Sequence, residues 1–263
     1  MQQRIKVIDL FAGPGGLGEG FSAVGPDDSP TFKIAVSVEK EASAHSTLTL
    51  RAFTREFTNR QLPKEYYQYL RCEITKEELI KSYPKEWAAA CKETLGRPVA
   101  LGEDNELIHS KISQVLGENK APWVLIGGPP CQAYSLVGRA KNSGTKGYVA
   151  EDDGRHFLYK EYLDIIAKFQ PTVFVMENVK GILSSRINGK SIFDQILGDL
   201  KNPNQGKLKY NIFSLSNAPS STDIFGPVFT SKNFIIKAEE YGVPQARHRV
   251  ILIGVRSDVS VNP

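Results

Sequence analysis

Short apolar runs separated by longer amphipathic stretches set the frame of this chain. Ile5–Phe11, Thr31–Val38, Trp123–Ile126 and Thr172–Met176 are brief, rich in β-branched residues, and largely unbroken by polar positions. Runs of that kind predict strands, buried where no polar residue breaks them, and parallel sheets are made of such strands. Between them the spacing turns helical. Arg155–Ile166 has helical periodicity, and Ser191 is placed to cap a helix over Ile192–Leu200. Thr75 and Glu78 form a capping box for a helix through Ile80, which Pro84 interrupts before helix resumes over Lys85–Leu95. Arg71–Thr75 reads as a strand end, residues 202–233 as polar and broken, and Ile235–Gly254 as a last strand-bearing unit. Strand and helix in alternation predict an α/β fold: a mostly parallel, twisted sheet with helices on both faces. Residues 1–263 are taken as one domain, with about 76–120 as a peripheral helical insertion.

Chemistry collects at the ends of the predicted strands, where open α/β sheets keep their ligand crevice. After the first strand comes Ala12-Gly13-Pro14-Gly15-Gly16-Leu17-Gly18, a glycine turn whose backbone a ligand can approach closely. It lacks the GxxxxGK[ST] spacing of a phosphate-cradling loop and departs from the dinucleotide fingerprint. Glu39 closes the second strand, the place where such folds bind a ribose hydroxyl pair. The third strand runs into Gly127-Gly128-Pro129-Pro130-Cys131. Alone, a cysteine in a Pro-rich turn reads as structural. The fourth strand ends on Glu177, an acid that burial makes costly unless it is used or paired. Strands that run parallel end on one side, so Glu177 is expected on the same edge as Cys131. Arg247 and Arg249 alternate on an extended segment and would point the same way, and guanidinium groups suit planar oxygen acceptors or phosphates. Residues 138–147, polar and basic, read as a lid after Cys131.

Composition narrows the classes without choosing among them. No apolar run approaches the roughly 20 residues of a membrane span, and the amino-terminal residues lead straight into a strand, with no signal peptide. Three widely spaced cysteines and four scattered histidines make neither a disulfide framework nor a metal site. A reducing, cytoplasmic setting follows, with no membrane and no metal. The net charge of +4 tolerates an anionic partner without demanding one.

Taken together, the motifs resemble the DNA (cytosine-5)-methyltransferase family. Asp9–Gly16 is similar to its first motif, Glu39 to its ribose acid, and Glu73-Ile74 to the Asp-Ile pair beside the adenine. Pro129-Pro130-Cys131-Gln132 matches its Pro-Cys motif, Glu177-Asn178-Val179 its Glu-Asn-Val motif, and Gln245-Ala246-Arg247-His248-Arg249 its Gln-x-Arg-x-Arg. The matches keep the family's order over nearly the whole chain.

The resemblance implies a Rossmann-like fold that binds S-adenosylmethionine and releases S-adenosylhomocysteine. The implied cofactor residues are Phe11, Ala12, Gly13, Gly15, Gly16, Leu17, Glu39, Glu73, Ile74, Pro130 and Leu158. It further implies that Cys131 attacks C6 of a cytosine flipped out of double-stranded DNA, that Glu177 works on N3, and that Arg249 sits on O2 with Arg247 near the backbone. Gln132, Ser135, Arg139 and Gln245 are the implied DNA contacts. The family's target-recognition domain and last motifs find no match, so either the sequence is truncated or a complementing C-terminal polypeptide is expected, along with an exposed apolar patch near Phe11 and Phe21. Three other readings stay open: an RNA cytosine-5 methyltransferase, a catalytically silent DNA-binding subunit, and a dinucleotide-dependent oxidoreductase.

Overall fold

The computed structural model describes residues 4–26, 29–57, 61–118, 121–130, 158–187, 189–203, 208–223 and 226–259. The chain divides into two compact units, Met1–Pro122 and Trp123–Pro263.

In the first unit, β1 (Ile5–Leu10) lies parallel to β2 (Phe32–Val38), connected through α1 (Gly16–Ser22). The apolar runs become strands because their side chains are buried: Val7, Ile8, Leu10, Val36 and Val38 are all at 2% exposure or less. Then follow α2 (Ala42–Thr54), α3 (Lys64–Leu70), α4 (Lys76–Ser82), α5 (Pro84–Glu93) and α6 (Asn105–Leu116). The capping box forms as the sequence predicts, with Thr75 accepting from the Glu78 N–H and Glu78 accepting from the Thr75 N–H. Pro84 takes the first position of α5, where its missing N–H costs nothing. α5 packs on α2 and β2. Its Ala90 joins Ala52, Phe53 and Leu79 in a core ringed by Phe57, Tyr83 and Trp87. Burying a side chain such as Phe53 contributes about 1.5–3 kcal/mol.

Two expectations fail in this unit. Arg71–Thr75 is no strand end but the turn between α3 and α4. Cys72 there adopts φ +59°, a left-handed conformation that a strand does not admit, and the Cys72 N–H donates back to the Tyr69 carbonyl. Nor do Phe11 and Phe21 form an exposed patch. Both are half-buried, and the Phe21 ring packs edge-on against Phe32 at 5.2 Å.

In the second unit, β3 (Trp123–Gly127) is buried along its whole length and lies parallel to β4 (Val173–Val179), reached through α7 (Leu158–Phe169). The connection from β4 runs through a 3-10 turn (Lys180–Ser184) and the small β5 (Arg186–Ile187) and β6 (Lys190–Ser191) ladder into α8 (Ile192–Lys201), capped by Ser191 as expected. β7 (Tyr210–Phe213) follows, then the short ladder of β8 (Ser221–Asp223) with β9 (Gly226–Val228), then β10 (Ile235–Lys237) and β11 (His248–Arg256). β11 pairs antiparallel with β4, β7 and β10, so it alone runs against the other strands of this sheet. The stretch read as polar and broken contains β7. Its alternate residues Tyr210 and Ile212 are buried at 2% exposure, and the Tyr210 hydroxyl donates to the Pro171 carbonyl at 2.8 Å.

Candidate active site

Each unit carries one half of the candidate chemistry. In the first, the β1–α1 turn is built on left-handed residues: Phe11 at φ +55°, Gly13 at +57° and Gly15 at +92°. A non-glycine residue in that region is uncommon and costs on the order of 1 kcal/mol, so Phe11 marks a turn held against local preference. Two backbone links hold it. The Ala12 N–H donates to the Val38 carbonyl at 3.0 Å, and the Gly13 N–H donates to Glu39 Oε2 at 2.7 Å. Glu39 Oε1 accepts from the Glu41 N–H at 2.7 Å, so one carboxylate ties the glycine turn to the start of α2. A Cβ built on Gly13 or Gly16 meets nothing within 4 Å, so this backbone borders open space. Such a turn can receive a nucleoside-bearing ligand against its backbone.

The sequence reading missed a neighbour of Glu39. The Val99 N–H donates to the Glu39 carbonyl at 2.8 Å, which brings residues 97–104 alongside the end of β2. Asp104 fastens that loop, accepting from Arg97 Nη2 at 2.7 Å and from the Ala100 N–H at 3.0 Å. Residues 97–104 fell inside the stretch read as peripheral, and they carry no motif that would have drawn attention. Glu73 lies in an exposed turn and is ion-paired with Arg71 at 2.6 Å, while Ile74 packs against the Phe53 core.

Beneath the glycine turn, Asp9 is buried, and both its carboxylate oxygens lack a hydrogen-bond partner. Burial pushes its pKa from 3.8 to about 8, with the Glu93 charge adding to the shift and Arg55 opposing it. The nearby Gly18 N–H offsets part of this without completing a hydrogen bond. Glu93 is also raised by burial, though Arg55 and Ser37 both bond to it.

In the second unit, the Gly-Gly-Pro-Pro turn leaves β3 and runs on beside β4. Gly127 pairs with Met176, and a Cβ built on Gly128 would lie 3.0 Å from Glu177 Oε2. Asn178 Nδ2 donates to the Pro129 carbonyl at 3.2 Å. Arg249 stands across from Val179 in the β4–β11 register, and its Nε meets Glu177 Oε1 at 2.7 Å. Both side chains are one-quarter exposed, so the pair is held without being sealed from solvent. The arrangement unites a carboxylate, a guanidinium and the turn that leads to Cys131. It can take up charge on a planar heterocycle.

The model of the C-5 cytosine-specific DNA methylase family matches residues 83–263. The chain belongs to that family. Among DNA methylases it is similar to the type II methyltransferase M.Bpa9945I of Bacillus paralicheniformis, 31% identical over 97% of this chain and 54% of the relative. It is likewise similar to M.BspRI of Lysinibacillus sphaericus, 26% identical over 98% of this chain and 46% of the relative. The chain thus spans about half the length of the curated relatives it matches. A solved structure described as a DNA modification methyltransferase encoded within an E. coli prophage superposes with a TM-score of 0.51 at 24% identity, covering 97% of this chain and 49% of that one. That likeness shows a shared α/β fold, the class the sequence predicts.

Of the residues that resemblance singled out, the structure brings Gly13 together with Glu39, and Glu177 together with Arg249. Arg247 and Gln245 lie in the exposed stretch just ahead of β11. Arg247 stands one residue ahead of β11, the strand that carries Arg249. The Arg247 carbonyl accepts from the Ala238 N–H at 3.0 Å, which closes the loop onto the turn after β10. Pro130 and Leu158 are half-buried, and Cys131, Gln132, Ser135, Arg139 and the lid at 138–147 fall outside the described residues. No cluster of metal-ligating side chains occurs among the described residues, and no helix among them is long and apolar enough to cross a membrane.

Proposed function

We propose that this chain is the catalytic part of an enzyme that methylates C5 of cytosine in double-stranded DNA. The observation that carries the reading is the Glu177–Arg249 pair, set beside the Pro-Pro turn in a member of the C-5 cytosine-specific DNA methylase family. Cytosine C5 is a weak nucleophile, so a group must first add across the 5,6 double bond. The Cys131 thiolate does this by forming an S–C6 bond. The displaced electron pair moves toward N3, where Glu177 donates a hydrogen bond or a proton. Arg249 keeps the Glu177 carboxyl in place and offers its guanidinium to the base O2, while Arg247 meets phosphate. S-adenosylmethionine, when bound, supplies an electrophilic methyl group. Once C5 carries the methyl, its proton leaves to solvent, the S–C6 bond breaks to return the Cys131 thiolate, and N3 gives back to Glu177 any proton it took. The target base must leave the stack for any of this to occur.

The first unit fits the cofactor. Its glycine turn borders open space, and Glu39 lies against that turn with its carboxylate on the Gly13 N–H. Phe11, Ala12, Gly13, Gly15, Gly16, Leu17 and Glu39 would hold the cofactor, and the residue 97–104 loop beside Glu39 would wall its nucleoside end. That loop takes the place the sequence reading gave to Glu73 and Ile74. Gln132, Ser135, Arg139 and Gln245 are the candidate DNA contacts. Because the relatives are about twice as long, a part that reads the target sequence, in the same chain or on a second polypeptide, belongs to the same proposal.

Transfer of labelled methyl from S-adenosylmethionine to mixed-sequence DNA and to RNA tests the reading. Label in DNA that is lost with Glu177→Ala is expected. Label in RNA alone would favour the RNA enzyme, and cofactor binding without transfer to either, even with the target-reading part supplied, would favour the silent subunit.

A further inference from the structure

The turn that leads to Cys131 is gripped from β4 on two sides, and neither grip is explained by the chemistry above. Its two consecutive prolines have no N–H, so the Pro129-Pro130 backbone cannot continue a hydrogen-bonded ladder with β4 as donor. The link is made instead by a side chain. Asn178 is buried at 6% exposure and donates from Nδ2 to the Pro129 carbonyl at 3.2 Å, while its Oδ1 accepts from the Val179 N–H at 2.8 Å. Both ends of the amide are used, which fixes its orientation. One residue earlier, a Cβ on Gly128 would stand 3.0 Å from Glu177 Oε2 and 3.7 Å from the Glu177 carbonyl. The carboxylate cannot simply turn away, because Arg249 holds its other oxygen at 2.7 Å.

We propose that Gly128 and Asn178 are positioning residues, a two-sided clamp that sets the Cys131-bearing turn against Glu177. Asn178 draws the turn toward β4, and the missing side chain at 128 lets it come close without displacing Glu177. The Gly128-Pro129 turn and the acid are thereby referred to one strand. Because misplacing a reacting group by about 1 Å can cost on the order of 100-fold in rate, such a clamp should appear in kcat rather than in ligand binding. The proposal rests on the catalytic reading of Cys131 and Glu177 given above.

The test compares Gly128→Ala, Asn178→Ala and Asn178→Asp with the native chain. The last keeps the shape of the side chain but opposes a carboxylate oxygen to the Pro129 carbonyl. The measurements are kcat for methyl transfer to DNA, the cofactor Kd by calorimetry, and amide hydrogen exchange of the 123–131 peptide. The clamp predicts a fall in kcat of at least about 30-fold in all three variants. Cofactor Kd should stay within about twofold, and exchange in that peptide should quicken in the two Asn178 variants. Native kcat in the variants, or equal losses of kcat and cofactor binding, would overturn it. If the native chain transfers no methyl even with its target-reading part supplied, the catalytic reading falls. The clamp is then judged by exchange alone, and unchanged exchange in Asn178→Ala would overturn it as well.

Discussion

Raising the pH should loosen the first unit through Asp9. In the folded chain this carboxyl titrates near 8 rather than at its ordinary 3.8, chiefly because it is buried. Between those values the folded state holds a proton that the unfolded state has released. Stability therefore falls as pH rises through that window, by about 1.4 kcal/mol per pH unit for one group, and levels off above the folded pKa. From about pH 5 to about pH 8 the full effect would be on the order of 4 kcal/mol. Interiors respond to charge with more polarisability than a dry medium, so about 1–3 kcal/mol is the realistic range. Asp9→Asn keeps the shape and carries no charge to bury. Thermal unfolding followed by circular dichroism at constant ionic strength should give the variant and native chain similar Tm values near pH 5. By pH 8 the variant should stand about 2–8 °C higher. Glu93, also raised by burial, contributes to both curves, so the difference between them reports Asp9 together with its coupling to Glu93. Parallel pH curves for the two proteins would refute the reasoning.

Other outcomes follow from the same geometry. Glu39→Ala removes the acceptor of two backbone N–H groups, each charge-assisted bond worth about 1.5–3 kcal/mol, and should weaken cofactor binding at least tenfold by calorimetry. Glu73→Ala should leave that affinity unchanged, and equal losses would restore the role first given to Glu73. Gly15→Ala meets both a left-handed backbone and a contact 2.9 Å from Leu48 Cδ1, whereas Gly13→Ala meets only the backbone cost. Chemical denaturation should show the first losing about 2–3 kcal/mol and the second about 1 kcal/mol. Gly254→Ala would put a methyl group 2.1 Å from the Phe174 ring, so a loss of at least about 3 kcal/mol in the same assay is expected.

How far the fold could be read from sequence depended on whether the deciding contact was local. The apolar runs that became β1–β4 and the Thr75–Glu78 box needed only neighbours in the chain, and they formed as expected. Arg71–Thr75 read as a strand end because Ile74 and Thr75 favour extended structure, but the left-handed Cys72 closes a helix–helix turn there. β7 went unseen because Tyr210 and Ile212 make too short an alternation to stand out, and their burial depends on β11, some 40 residues on. At the site, Glu39, Glu177 and Arg249 were legible as motif residues. The loop at Val99 was not, since nothing but its backbone bond to Glu39 marks it. The clamp at Gly128 and Asn178 was equally hidden. Both residues lie within motifs, but their function is a distance across two strands, which no spacing along one strand can show.

The central claim is that Cys131 forms a bond to cytosine C6 while Glu177 supports it. Incubating the chain with S-adenosylmethionine and duplex DNA containing 5-fluorocytosine, then mapping the protein–DNA adduct by mass spectrometry, tests that claim most directly. A covalent adduct at Cys131, absent in Cys131→Ala and strongly reduced in Glu177→Ala, is the result expected. An adduct at another residue, or one that survives Cys131→Ala, would contradict it.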